Sequence, residues 1–155
     1  MKTFTPSTDT IRTAWDRLHK LPGGKALFSK IVGQMAPYTG TIDARVVELR
    51  DGFGRVELDD RRGVRNHLNS IHAIALANLG EMVSGVTMLY GLNPKMRGIL
   101  VGLDVEYLKK ARGTLTATCE VAPVTAVEEQ RLTLTVDIRD ERGDLVCRVF
   151  PKWLL

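Results

Sequence analysis

Residues 66–90 read NHLNSIHAIALANLGEMVSGVTMLY, and the second part of that stretch decides the fold. From about Ala73 to Tyr90, apolar residues fall on nearly every side of a helix, the pattern of a helix enclosed by its own protein. Glu81 stands in its middle. A carboxylate so placed is costly unless it is paired, protonated or put to use. The polar run from Asn66 to His72 leads straight into the helix N-terminus, where unpaired backbone N–H groups can receive negative charge. That junction is the candidate functional site.

Working outward, the period on both sides changes to two. Upstream, Thr41 to Arg50 carries Ile42, Ala44 and Val46, then Val47 and Leu49, a phase slip that predicts a bulge. Asp51-Gly52 is a turn signal, and Gly54 to Asp60 returns as a strand with Val56 and Leu58 inward. Further upstream, Ser7-Thr8-Asp9 offers caps for a helix with Ile11, Ala14, Trp15 and Leu18 on one stripe. Pro22-Gly23-Gly24 ends it, a second helix from Lys25 to Met35 presents Leu27, Phe28, Ile31 and Val32, and Pro37 marks its exit. Downstream, Asn93-Pro94 breaks the central helix. Four strand features follow. Gly98 to Lys110 alternates Val101, Leu103, Val105 and Tyr107. Thr114 to Val121 alternates Leu115, Ala117, Cys119 and Val121, and Arg131 to Arg139 alternates Leu132, Leu134, Val136 and Ile138. A turn at Asp140 to Asp144 leads to a last strand through Phe150, with Pro151 near its end.

Helices, a hairpin, one enclosed helix and four more strands make an α+β chain. The arrangement expected is one curved antiparallel sheet wrapped around the central helix. One domain spans 1–155, with 1–38 as an N-terminal helical extension and 39–155 as the core.

Composition narrows the function classes. Twenty-two Lys and Arg against eighteen Asp and Glu give a net charge of +4, enough to suit an anionic ligand but too scattered for nucleic acid. The run from Ile71 is interrupted by Asn78, Gly80, Glu81 and Ser84, which argues against a membrane span. The N-terminus lacks the apolar segment of a signal peptide, and Cys119 and Cys147 suit free thiols in a reducing cytoplasm. No P-loop, GxGxxG after a strand, nucleophile elbow or zinc spacing is found, so neither a metal nor a resident cofactor is expected. Cys119 alternates onto an apolar face and makes a poor nucleophile. His19 and His67 read as packing or surface residues.

The order β-β-helix-β-β-β-β around an apolar helix resembles the hotdog fold. The motif is similar to that of hotdog acyl-CoA thioesterases of the phenylacetate-pathway type, in which an Asn precedes a helix-opening His by six residues and an Asp or Glu follows that His by nine. Asn66, His72 and Glu81 meet that spacing. The resemblance covers residues 40–155 and extends to an uncharacterised hotdog subfamily that shares the RNHLNSIHA and YLKKARG stretches. Two departures stand out. His72-Ala73-Ile74 replaces the usual His-Gly-Gly, and Asn69 replaces a glycine that lets backbone approach the thioester.

The resemblance implies hydrolysis of an acyl-CoA or acyl-carrier-protein thioester. Glu81 would act as general base or nucleophile, and Asn66 would position water or thioester. The Ala73 N–H would hold the oxyanion, and His72 would bond locally or orient Asn66. Coenzyme A would enter only as part of the substrate, its phosphates meeting Arg61, Arg62 and Arg65 before the motif and Lys109, Lys110 and Arg112 after a strand. Met35, Met82, Met88 and Tyr90 are candidates for an acyl channel. The site would form across a homodimer, or within a dimer of dimers, with Asn66 and Glu81 from different subunits. The competing expectation is a non-catalytic hotdog module that binds an acyl chain or lipid.

Overall fold

A computed structural model describes residues 8–155. The cap expected at Ser7 lies outside them. Three helices come first: α1 (Thr8–Leu18), α2 (Gly24–Met35) and the single turn α3 (Pro37–Gly40). The hairpin β1 (Arg45–Arg50) and β2 (Phe53–Leu58) follows, then the long helix α4 (Ala73–Gly91). The chain closes with β3 (Ile99–Tyr107), β4 (Leu115–Glu120), β5 (Arg131–Thr133), β6 (Val136–Arg139) and β7 (Leu145–Leu154). The strands form one antiparallel sheet in the order β1-β2-β4-β6-β7-β3, with β5 beside β7.

α4 lies across the concave side of this sheet, against β2, β4 and β7, and α1 covers part of its other side. That explains its apolar circumference: most of its residues have a protein neighbour whichever way they point. By length and composition alone it could cross a membrane, yet 72% of its apolar window is buried inside this chain. Helix and sheet touch most closely where side chains are absent. A Cβ built on Gly80 would stand 2.6 Å from Val149, and one on Gly54 would collide with Thr87. Around these contacts Leu58, Leu79, Val83, Leu115, Ile138 and Val149 are fully buried.

The expected bulge in β1 is present, the register slipping between Val46 and Glu48. Four local expectations need correction. The strand expected from Thr41 begins at Arg45, because the chain first turns through Thr41 and Ile42 and Asp43 takes a φ of 53°. Leu27, placed on the apolar stripe of α2, is 50% exposed. A second bulge, between Leu100 and Gly102, turns Val101 outward and seats Leu100 against the core instead.

The fourth concerns Pro151, which sits inside β7 rather than at its end. Its carbonyl accepts from the Leu134 N–H, so its polar edge faces β5 and β6. Proline has no N–H to return that bond. The ladder accordingly breaks there, and the continuous strand expected over 131–139 becomes β5 and β6 on either side of Leu134 and Thr135.

Candidate active site

The loop before α4 is wound by Asn66. Its Oδ1 accepts from the Leu68 N–H at 2.9 Å, the Ser70 N–H at 3.3 Å and the Ser70 hydroxyl at 3.2 Å. Its own N–H donates to the Ser70 carbonyl at 2.8 Å. Asn69 takes φ 54°, the left-handed region that Asn tolerates best after Gly. The glycine that the resemblance leads one to expect here can therefore be replaced without unwinding the turn.

His72 caps the helix: its Nδ1 accepts from the Ile74 N–H at 3.0 Å, which places the ring proton on Nε2. The Ala73 carbonyl accepts from the Tyr107 hydroxyl at 2.9 Å, tying β3 to the first helical turn. The Ala73 N–H has no partner among the described residues, as the first amides of a helix do not.

The basic residues from both halves of the motif gather at this end. Asp60 joins them, accepting from Arg65 at 2.6 Å and from the Gly113 N–H at 2.9 Å, while the Ile71 N–H donates to Ala111. Not all six are available to a ligand. Arg65 is paired with Asp60, Arg61 donates to the Thr41 carbonyl, and Lys109 bridges Asp140 and Asp144 at 2.7 Å each. Arg62, Lys110 and Arg112 are exposed and make no ion pair among the described residues. Lys110 and Arg112 border an open polar cleft of about 370 Å³.

Glu81 stands apart from this loop. Nine residues of helix separate it from His72, roughly 13 Å along the axis. Its carboxylate is half-buried at an apolar pocket of about 130 Å³, walled by Ile11, Val32, Met35, Met82, Leu89 and Trp153. Burial raises its pKa above the ordinary carboxylate value. Neither helical neighbour compensates it. The Ser84 hydroxyl donates to the Glu81 backbone carbonyl at 2.9 Å and accepts from the Trp153 Nε1–H at 3.2 Å. The Asn78 amide reaches the Tyr38 carbonyl at 3.4 Å, leaving its own buried Oδ1 without a donor. Among the described residues the Glu81 carboxylate has no hydrogen bond or ion pair. A carboxylate left free in apolar surroundings is a candidate for proton transfer.

Of the channel candidates, Met35 and Met82 line this pocket. Met88 packs beneath Gly98, and the Tyr90 hydroxyl donates to Asp16 at 2.8 Å, with burial pushing that phenol up to about 12. Cys119 and Cys147 are free, buried thiols, likewise raised by burial to about 12. Gly85 and Trp153 also border the pocket, and sequence reasoning assigned them nothing. The spacing of Gly85, one turn beyond Glu81, was the available signal for the first. Nothing local marks the second.

This architecture is that of the hotdog fold, and solved structures share it. The protein called genomics APC5556 matches at 30% identity over 92% of this chain and 95% of its own, with a TM-score of 0.80. PA5026 from Pseudomonas aeruginosa, described as a probable thioesterase, matches at 18% identity over 86% and 95%, with a TM-score of 0.74. The thioesterase enzyme SAV0944 from Staphylococcus aureus subsp. aureus Mu50 matches at 14% identity over 76% and 96%, with a TM-score of 0.66. Among curated proteins none matches. Residues 24–155, α2 through β7, match the model of a family described as "Domain of unknown function (DUF4442)", and the chain belongs to that family.

Proposed function

We propose that this protein hydrolyses acyl thioesters, carried on coenzyme A or on an acyl-carrier protein, with Glu81 as general base. The observation that carries the reading is the unpaired, half-buried Glu81 carboxylate on the central helix of a hotdog fold, its proton affinity raised by burial. Solved proteins described as thioesterases share that fold, which supports the same chemistry here. Glu81 takes a proton from water as the water oxygen attacks the thioester carbonyl carbon. The C–S bond then breaks, and the proton returns from Glu81 to the departing thiolate.

The oxyanion falls to the free Ala73 N–H, aided by the helix dipole. Because roughly 12 Å of helix separates Glu81 from that amide in one chain, the site is completed by a second protomer, with Asn66 and Ala73 of one facing Glu81 of the other. β3 supports such a homodimer: it is an edge strand, and Ile99, Val101, Tyr107 and nearby Ile74 are all at least 45% exposed. Arg62, Lys110 and Arg112 serve the phosphates of coenzyme A. The Nδ1 of His72 and the Oδ1 of Asn66 are committed to loop and cap, so both side chains act by shaping the loop.

That same commitment favours the second reading, a module that binds acyl chains without hydrolysing them. Thiol release from a panel of acyl-CoAs separates the two. Glu81→Gln is expected to lower kcat at least about a hundredfold, the usual lower bound for loss of a general base. Thiol release that is absent, or equal in the variant, would falsify the catalytic reading.

A further inference from the structure

Glycine inside a helix carries a conformational cost, so each one in α4 needs a reason. Gly80 has one in Val149. Gly85 does not: a Cβ there would meet nothing nearer than Trp153 at 3.4 Å, ordinary van der Waals contact. The space that a side chain would take is instead part of the apolar pocket at Glu81, on the same helical face and one turn further on.

The pocket's size suits a small apolar group. Its volume of about 130 Å³ falls below the range of about 300–1,000 Å³ of drug-sized sites. It is close to that of an engineered apolar cavity of about 150 Å³ that holds one benzene ring. The pocket is therefore large enough for about six carbons. Met82 and Thr39 also border a larger cleft of about 610 Å³ between α2, α3 and the start of β1, so they stand between the two spaces, and a longer chain would have to pass Met82 to reach the cleft.

We infer that this pocket, kept open by Gly85 and bounded by Met82, receives the acyl end of the substrate and selects short acyl groups of up to about six carbons. The inference rests on the thioesterase reading and adds to it the substrate class and the elements that set it. Those elements are the N-terminal helices α1 and α2, which supply Ile11, Val32 and Met35, together with Gly85.

Two measurements test it. In the first, kcat/KM is compared across straight-chain acyl-CoAs from acetyl to palmitoyl. Wild type should decline steeply beyond hexanoyl, Gly85→Ala should lower the hexanoyl-to-acetyl ratio at least tenfold, and Met82→Ala should raise the decanoyl-to-hexanoyl ratio at least tenfold. Palmitoyl turned over as well as hexanoyl by the wild type, or a Gly85→Ala profile like the wild type's, overturns the inference while leaving the thioesterase reading intact. In the second, hexanamide is titrated into the full-length protein while backbone amide resonances are followed by NMR. Shifts centred on Gly85 and Leu89 that vanish in Gly85→Ala support the pocket even if no thiol is ever released. No shift at those amides overturns it. Neither the Gly85 ratio nor the titration depends on Met82→Ala folding.

Discussion

Gly80 and Gly85 lie five residues apart on one helix and answer to opposite demands. Gly80 faces the sheet, where a Cβ would stand 2.6 to 2.7 Å from three atoms of fully buried Val149. Gly85 faces the pocket shared with α1 and α2, where a Cβ would touch only the rim of Trp153. The first glycine lets two elements meet, whereas at the second the space stays part of the pocket. One helix thus has a face packed closely on the sheet and a face that borders a pocket, and Glu81 belongs to the second.

The sharpest way to break the comparison is to add the same methyl group on each side. Gly80→Ala should destabilise by about 1–3 kcal/mol, because Val149 is held by the sheet and the overlap must be relieved by moving the helix. Gly85→Ala should instead stabilise by about 0.5–1 kcal/mol, the helix preference for alanine over glycine. Urea unfolding of both variants, with slopes matching the wild type's, checks the pair. Equal losses in the two would mean that the helix has no open face.

Ser84 holds the border between the faces. Its hydroxyl accepts from the Trp153 indole N–H, and Trp153 forms one wall of the pocket. Ser84→Ala leaves that buried donor without an acceptor, at a cost of about 1 kcal/mol or somewhat more. Thermal unfolding reads the loss, and the Trp153 indole N–H resonance should shift as its hydrogen bond disappears. An unchanged indole resonance would mean that the wall is held in some other way.

Much of the fold was legible in the sequence because its signals are periodic. The enclosed helix, the hairpin turn at Asp51-Gly52, the β1 bulge and the inward face of β4 each follow from a pattern within ten or twenty residues. What misled was a tertiary cause. The break between β5 and β6 depends on Pro151, twelve residues beyond the nearer end of the strand it interrupts, and no property of 131–139 announces it. The outward turn of Val101 depends on a bulge against β7. The candidate site divides in the same way. Spacing pointed to the carboxylate and the helix-opening loop as candidates, whereas the walls from α1, α2 and β7 come from distant parts of the chain. Local reading also could not tell that Asn66 and His72 spend their acceptors on the loop itself.

The smallest expected effect is a pH dependence that sets the open face against the paired carboxylates elsewhere. Burial raises the Glu81 carboxyl above its ordinary value of 4.5, so the folded protein holds that proton more tightly than the unfolded chain does. The resulting contribution to stability is fully present below the ordinary value and is lost as pH rises through the folded one. Asp137 has the opposite sign, because the Arg148 hydrogen bond holds it below 3.8 and its contribution disappears on acidification. Total stability against pH therefore mixes the two, and only a difference isolates Glu81. Glu81→Gln keeps the size of the side chain and removes the titration. The stability of the wild type minus that of the variant should fall as pH rises from 4.5 and level off once Glu81 is ionised. Solvent screening at this half-exposed group keeps the fall modest. The rising limb of kcat/KM against pH should share its midpoint, since a general base must be ionised to work. If the difference stays flat from pH 4 to 8, the carboxylate is solvated like any surface glutamate, and the open face of α4 loses the group that distinguishes it from the closed one.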